Sequence, residues 1–75
     1  MPHVVDARGL RCPLPLVRAR QALVALAREE TLVVLATDPE APIDLAALAA
    51  DVERGFSAQR TGDEWICQLP PLRDR

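Results

Sequence analysis

Seven residues in the middle of the chain, Thr31-Leu32-Val33-Val34-Leu35-Ala36-Thr37, do most to limit what it can fold into. The run is short and rich in β-branched and aliphatic side chains, so it reads as a strand ended by Asp38-Pro39. Successive side chains on a strand point to opposite faces, and this one is apolar at odd and even positions alike. Such a strand belongs inside a sheet, with neighbours on both edges. With 75 residues in all, one domain spanning 1–75 is expected, built around this strand. A chain of that size buries only about 60% of its unfolded surface.

The remaining elements follow from periodicity and punctuation. Val4-Val5-Asp6-Ala7 predicts a short first strand that Arg8-Gly9 ends. From Pro13 to about Arg28 the pattern is helical: Leu16, Ala19, Leu23, Leu26 and Ala27 share a face, with Arg18, Gln21, Ala25, Arg28 and Glu29 opposite. Arg20 sits at the border of the two faces. A second helix is expected after Asp44 as N-cap, with Leu45, Leu48, Ala49 and Val52 at helical spacing. Ile43 and Leu48 would form its hydrophobic staple, and Gly55 would be its C′ residue. Ser57–Arg60 and Trp65–Leu69 predict a hairpin turning on Gly62-Asp63. Trp65, Cys67 and Leu69 share one of its faces. The tail from Pro70 to Arg75 is expected to fray. The order is βαβαββ, an α/β (α+β) two-layer sandwich with two helices on one face of a mixed four-stranded sheet.

Composition narrows the function. Apolar content of 49% and charged content of 27% suit a soluble globular protein. A net charge of −2 argues against a nucleic-acid binder, and the two aromatics, Phe56 and Trp65, supply no stacking platform. The start, Met1-Pro2-His3-Val4, lacks a basic segment followed by a long apolar run, and the longest apolar stretches fall short of a membrane span. Two cysteines are too few for a disulfide scaffold, so the expectation is a cytoplasmic protein with both thiols free. One histidine, His3, and two distant cysteines do not make a metal site, and no cofactor is expected. The carboxylates look scattered, serving solvation and capping.

Arg11-Cys12-Pro13-Leu14-Pro15 carries the chemistry. Gly9, Arg11 and Pro13 describe a loop-to-helix junction, and prolines are tolerated in a first helical turn, whose N–H groups have no intrahelical partner. Cys12 would stand at or near the N-cap, where the helix dipole and the free N–H of Leu14 favour an anion. With Arg8, Arg11, Arg18 and Arg20 nearby, the thiol pKa is expected to fall, giving a nucleophilic thiolate. Read as bland instead, Cys12 is a small buried hydrophobe and the arginines are ordinary surface charges.

The stretch Asp6-Ala7-Arg8-Gly9-Leu10-Arg11-Cys12-Pro13-Leu14-Pro15, with Thr37-Asp38-Pro39 and Asp44-Leu45 further on, resembles the TusA/SirA-like sulfur-carrier family and its Cys-Pro-x-Pro motif. The resemblance implies a carrier that takes sulfane sulfur as a persulfide on Cys12, with Gly9, Arg11, Pro13, Leu14 and Pro15 positioning it. It implies a donor protein, a cysteine desulfurase or rhodanese-like enzyme, and an acceptor protein or substrate. The pathways it implies are tRNA thiolation, molybdenum-cofactor-linked sulfur supply and sulfur oxidation. Asp38 and Asp44 match family positions and read as structural. Phe56, the absence of lysine and the ending Pro70-Pro71-Leu72 depart from the pattern and bear on partner identity. Two other readings stand beside it. One is a regulatory or interaction module, a monomer or weak dimer using the open sheet face. The other is a dithiol redox protein using Cys12 and Cys67, against which Cys67 reads as a core thiol.

Overall fold

A computed structural model describes residues 3–72. In chain order the elements are β1 (His3–Ala7), α1 (Leu14–Ala25), β2 (Leu32–Ala36), α2 (Ala41–Asp51), β3 (Ser57–Thr61) and β4 (Glu64–Leu69). The sheet order is β1-β2-β4-β3, with β1 parallel to β2 and the other pairs antiparallel. The run at 31–37 therefore supplies an inner strand, as its two apolar faces require.

Both helices lie on one face of this mixed sheet. Alternation sends Ala7 of β1, Leu32, Val34 and Ala36 of β2, and Cys67 and Leu69 of β4 to that side, where all are fully buried. Ala19 of α1 and Ala41, Leu45, Leu48 and Ala49 of α2 close over them. Leu16, Leu23, Leu26, Phe56 and Trp65 pack at the margin of this core. Each fully buried leucine contributes about 1.5–3 kcal/mol relative to exposure. The opposite face carries Val4, Val33, Leu35 and Ile66, aligned by the register Val4↔Val33 and Leu35↔Ile66, and no helix or strand among the described residues covers them.

Three boundaries differ from the sequence expectation. Helix α1 stops at Ala25, before Arg28, and Ala27 is exposed instead of lining the apolar face. The segment that follows is held by Arg54, whose guanidinium donates to the carbonyls of Ala27, Arg28 and Glu30 and to that of Leu69. Helix α2 starts at Ala41, with Glu40 as N-cap and Pro42 in the first turn, so Asp44 is not its cap. Ile43 is then a helical residue, 64% exposed, and forms no staple with Leu48. Asp38 organises this entry: its Oδ1 accepts the Glu40 N–H at 2.9 Å and its carbonyl accepts the Ala41 N–H at 3.0 Å.

The third correction concerns the end of α2. Glu53, not Gly55, takes the left-handed position, with φ 58°. The N–H of Glu53 reaches the Ala50 carbonyl and that of Arg54 the Ala49 carbonyl, the paired bonds of a Schellman motif. Gly55 lies beyond it, where a side chain would meet Pro70 Cγ at 3.2 Å. Its N–H donates to the Pro70 carbonyl, and Arg54 forms a bridge with Pro71. Pro70 and Pro71 are thus tied to the body of the protein rather than frayed; residues 73–75 of the expected tail lie outside the described residues. The hairpin turns on Gly62-Asp63 as expected. Its positive φ falls on Gly62 alone, which matches a type II′ turn.

Candidate functional site

The loop from Arg8 to Pro13 carries Cys12 from the end of β1 to the start of α1, next to the β2–α2 connection. Gly9, at φ 82°, makes the turn out of β1, and its N–H donates to Thr37 Oγ1 at 2.9 Å. The Cys12 N–H donates to Asp38 Oδ2 at 2.6 Å. Asp38 thus grips Cys12 with one oxygen and the entry of α2 with the other. Those two N–H groups hold its carboxyl below the usual carboxylate range, with Arg11 adding to the effect.

Pro15 lies in the first turn of α1, fully buried, where the sequence puts it, while Pro13 is the N-cap and stands one residue before the helix instead of in its first turn. The Cys12–Pro13 peptide bond is cis. Cys12 itself precedes the cap by one residue and is exposed. Leu14 is 47% exposed beside it. Gly9, Arg11, Cys12, Pro13, Leu14 and Pro15 are therefore contiguous in space as well as in sequence, with the thiol on the outside.

The electrostatics reverse the expectation. The Leu14 N–H is not free; it donates to the Arg11 carbonyl at 2.7 Å. The thiol donates to Asp44 Oδ2, with 3.1 Å between Sγ and oxygen. The Cys12 pKa is consequently pushed up to about 11 rather than down. The hydrogen bond to Asp44 is the largest cause, desolvation follows, and the charges of Asp44, Asp38 and Glu40 complete the effect. The basic rim read from the sequence does not face the sulfur. Arg8 is spent on Asp6, to whose two oxygens it donates at 2.9 and 2.8 Å, and it reaches Glu64 at 3.6 Å. That pair holds the Asp6 carboxyl down to about 2. Arg18 and Arg20 are exposed on α1, and Arg20 borders a groove of about 320 Å³ with Leu23, Val24, Leu48 and Val52.

Sequence reasoning read Asp38 and Asp44 as structural and missed that they meet at the thiol. Asp38, Glu40 and Asp44 look scattered along the chain, but the β2–α2 connection brings them to the cysteine loop. The available signal was the spacing of Asp38 and Asp44 around Pro39 and Pro42, which makes a compact turn into a helix. The second cysteine fits its reading as a core thiol. Cys67 is free and fully buried, opposite Val34 on one side and Ala58 on the other, and burial pushes its pKa up to about 11. It lies in the core while Cys12 lies on the surface, so nothing in the fold favours a dithiol pair. Among the described residues no group of three or more His, Cys, Asp or Glu side chains could hold a metal ion. No described helix is long and apolar enough to cross a membrane.

Comparison with known proteins adds to this geometry. Residues 3–67 match the family described as Sulfurtransferase TusA. Two proteins of Neisseria meningitidis, from a serogroup A and a serogroup B strain, are described as candidate sulfur carriers. Each is 49% identical to this chain over 45 residues, which is 60% of this chain and 61% of the relative. The matched stretch thus spans about three fifths of the length of these relatives. A SirA-like protein from Desulfitobacterium hafniense has the same fold, with a TM-score of 0.81 at 22% identity, covering 89% of this chain and 93% of its own.

Proposed function

Because the chain belongs to the TusA sulfurtransferase family, we propose that it carries sulfane sulfur as a persulfide on Cys12, taken from a donor protein and passed to an acceptor. The observation that supports this reading most is the placement of Cys12. It is an exposed thiol on a loop anchored at Gly9, at its own N–H and at the buried Pro15. A carrier needs its sulfur accessible to two different partners, and a rigid mount lets each partner find it in the same place.

The exchange needs no redox partner. Cys12 Sγ attacks the outer sulfur of a donor persulfide, a new S–S bond forms, and the donor S–S bond breaks. The donor cysteine leaves with the electron pair and takes up a proton. Delivery runs the same exchange with the acceptor as nucleophile. Gly9, Arg11, Pro13, Leu14 and Pro15 act in this reading as positioning residues. The donor is a cysteine desulfurase or rhodanese-like protein in the cytoplasm, and the acceptor belongs to tRNA thiolation, molybdenum-cofactor-linked supply or sulfur oxidation.

Incubation of the reduced protein with glutathione persulfide, followed by intact mass and peptide mapping, tests the proposal. Added sulfur on the Cys12 peptide, removed by a thiol reductant and absent in Cys12→Ser, is the expected result. Full loading of Cys12→Ser, or none of the wild type, would overturn it.

A further inference from the structure

The contact between Cys12 and Asp44 has a direction. The thiol is the donor and the Asp44 carboxylate the acceptor. At 3.1 Å from Sγ, its carboxylate accepts the S–H hydrogen bond and stands where a thiolate would place its charge. The other charged groups around the sulfur act in the same sense. Asp38 and Glu40 approach from the β2–α2 connection, and the cation next to Cys12 in the chain, Arg11, interacts with Asp38.

Resting on the carrier reading above, we propose that Asp44 is a hold on the unloaded carrier: it keeps Cys12 a neutral, weakly reactive thiol and so works against loading and in favour of delivery. The balance of the exchange shows why the hold is selective. Cys12–SH and a donor R–S–SH give Cys12–S–SH and R–SH, with no net oxidation. Once Sγ bears the second sulfur it has no hydrogen, and the bond to Asp44 cannot form. The ionisable proton then sits on the outer sulfur, one bond further from Sγ. The hydrogen bond from Sγ to Asp44 therefore belongs to the empty state alone.

Two readouts on wild type, Asp44→Asn and Asp44→Ala test this. The first is the rate of iodoacetamide alkylation at Cys12 from pH 6 to 10, read on the Cys12 peptide, which requires no sulfur donor. The wild-type rate should still be rising at pH 10, while Asp44→Asn should level off at lower pH. At neutral pH Asp44→Asn should react about 10-fold faster, since the larger thiolate fraction outweighs its lower intrinsic nucleophilicity. The second is the loaded fraction at equilibrium with glutathione persulfide, which should be higher in both variants.

Equal alkylation profiles in wild type and folded Asp44→Asn would overturn the hold. If circular dichroism shows both variants unfolded, the wild-type profile decides: a midpoint at or below the ordinary thiol value overturns it, and one well above supports it. Failure of the wild type to take up sulfur would overturn the carrier reading instead, a result the alkylation arm cannot produce.

Discussion

The two ends of α1 are held by opposite means. At its N-terminal end, carboxylates collect donors: Asp38 takes the N–H groups of Cys12 and Glu40, and Asp44 takes the Cys12 thiol. At its C-terminal end, one cation collects acceptors: Arg54 donates to the carbonyls of Ala27, Arg28, Glu30 and Leu69. Both arrangements act on the chain just outside the helix: the Cys12 N–H precedes the Pro13 cap, and the Ala27, Arg28 and Glu30 carbonyls follow the Leu26 cap. The difference lies in what is gripped. The Arg54 junction holds only main chain and is part-buried, so it serves the fold. The carboxylate junction includes a side chain that can react, so its charge also sets chemistry. The same kind of interaction holds only main chain at one end and also a thiol side chain at the other.

The comparison is broken most directly at Arg54. Arg54→Ala removes a cation from four carbonyls at once and should cost about 2 kcal/mol, a figure near the lower end for a charged hydrogen bond because the site is only part-buried. Urea unfolding measures the loss, and sulfur loading per folded molecule should not change. A variant that loads poorly while folded would show that the two ends are not separate. A smaller change, of opposite sign, is expected next door. Glu53→Gly relieves the left-handed backbone at φ 58° and should stabilise by about 0.5–1 kcal/mol, read as a higher urea midpoint.

A third effect is pH dependence. Both thiols are raised from an ordinary value near 9 to about 11 in the folded chain. A raised pKa favours the protonated form in the folded state, so the contribution is complete below pH 9 and is lost as pH rises from 9 to 11. The melting temperature should fall across that window. For exposed Cys12 the share should shrink in Asp44→Asn, which leaves the parts due to desolvation, Asp38 and Glu40 beside the part that comes from burial of Cys67. A melting temperature that stays level from pH 9 to 11 would contradict the raised values of both thiols.

The sequence made the order of elements legible because it is written in local patterns: a doubly apolar strand at 31–37, helical spacing in α1 and α2, and Gly62-Asp63 at the hairpin. The cysteine loop was legible for the same reason, since Pro13 and Pro15 mark a helix entry wherever they occur. What stayed hidden depends on contacts between distant segments. Asp44 follows the rule for an N-cap, and only the earlier start of α2 at Ala41 places it in the first turn, against Cys12. The low thiol pKa followed from nearby arginines in the chain, but Arg8 turns to Asp6 and Glu64. Nothing local marks Arg54 as different from the exposed arginines.

The grip of Arg54 on the segment after α1 has one more consequence. It touches that segment through oxygen atoms that every amino acid possesses. The side chains of Ala27, Arg28 and Glu29 are exposed and take no part in its bonds. These positions can therefore change identity, or carry a fluorophore, without loosening the fold that presents the sulfur.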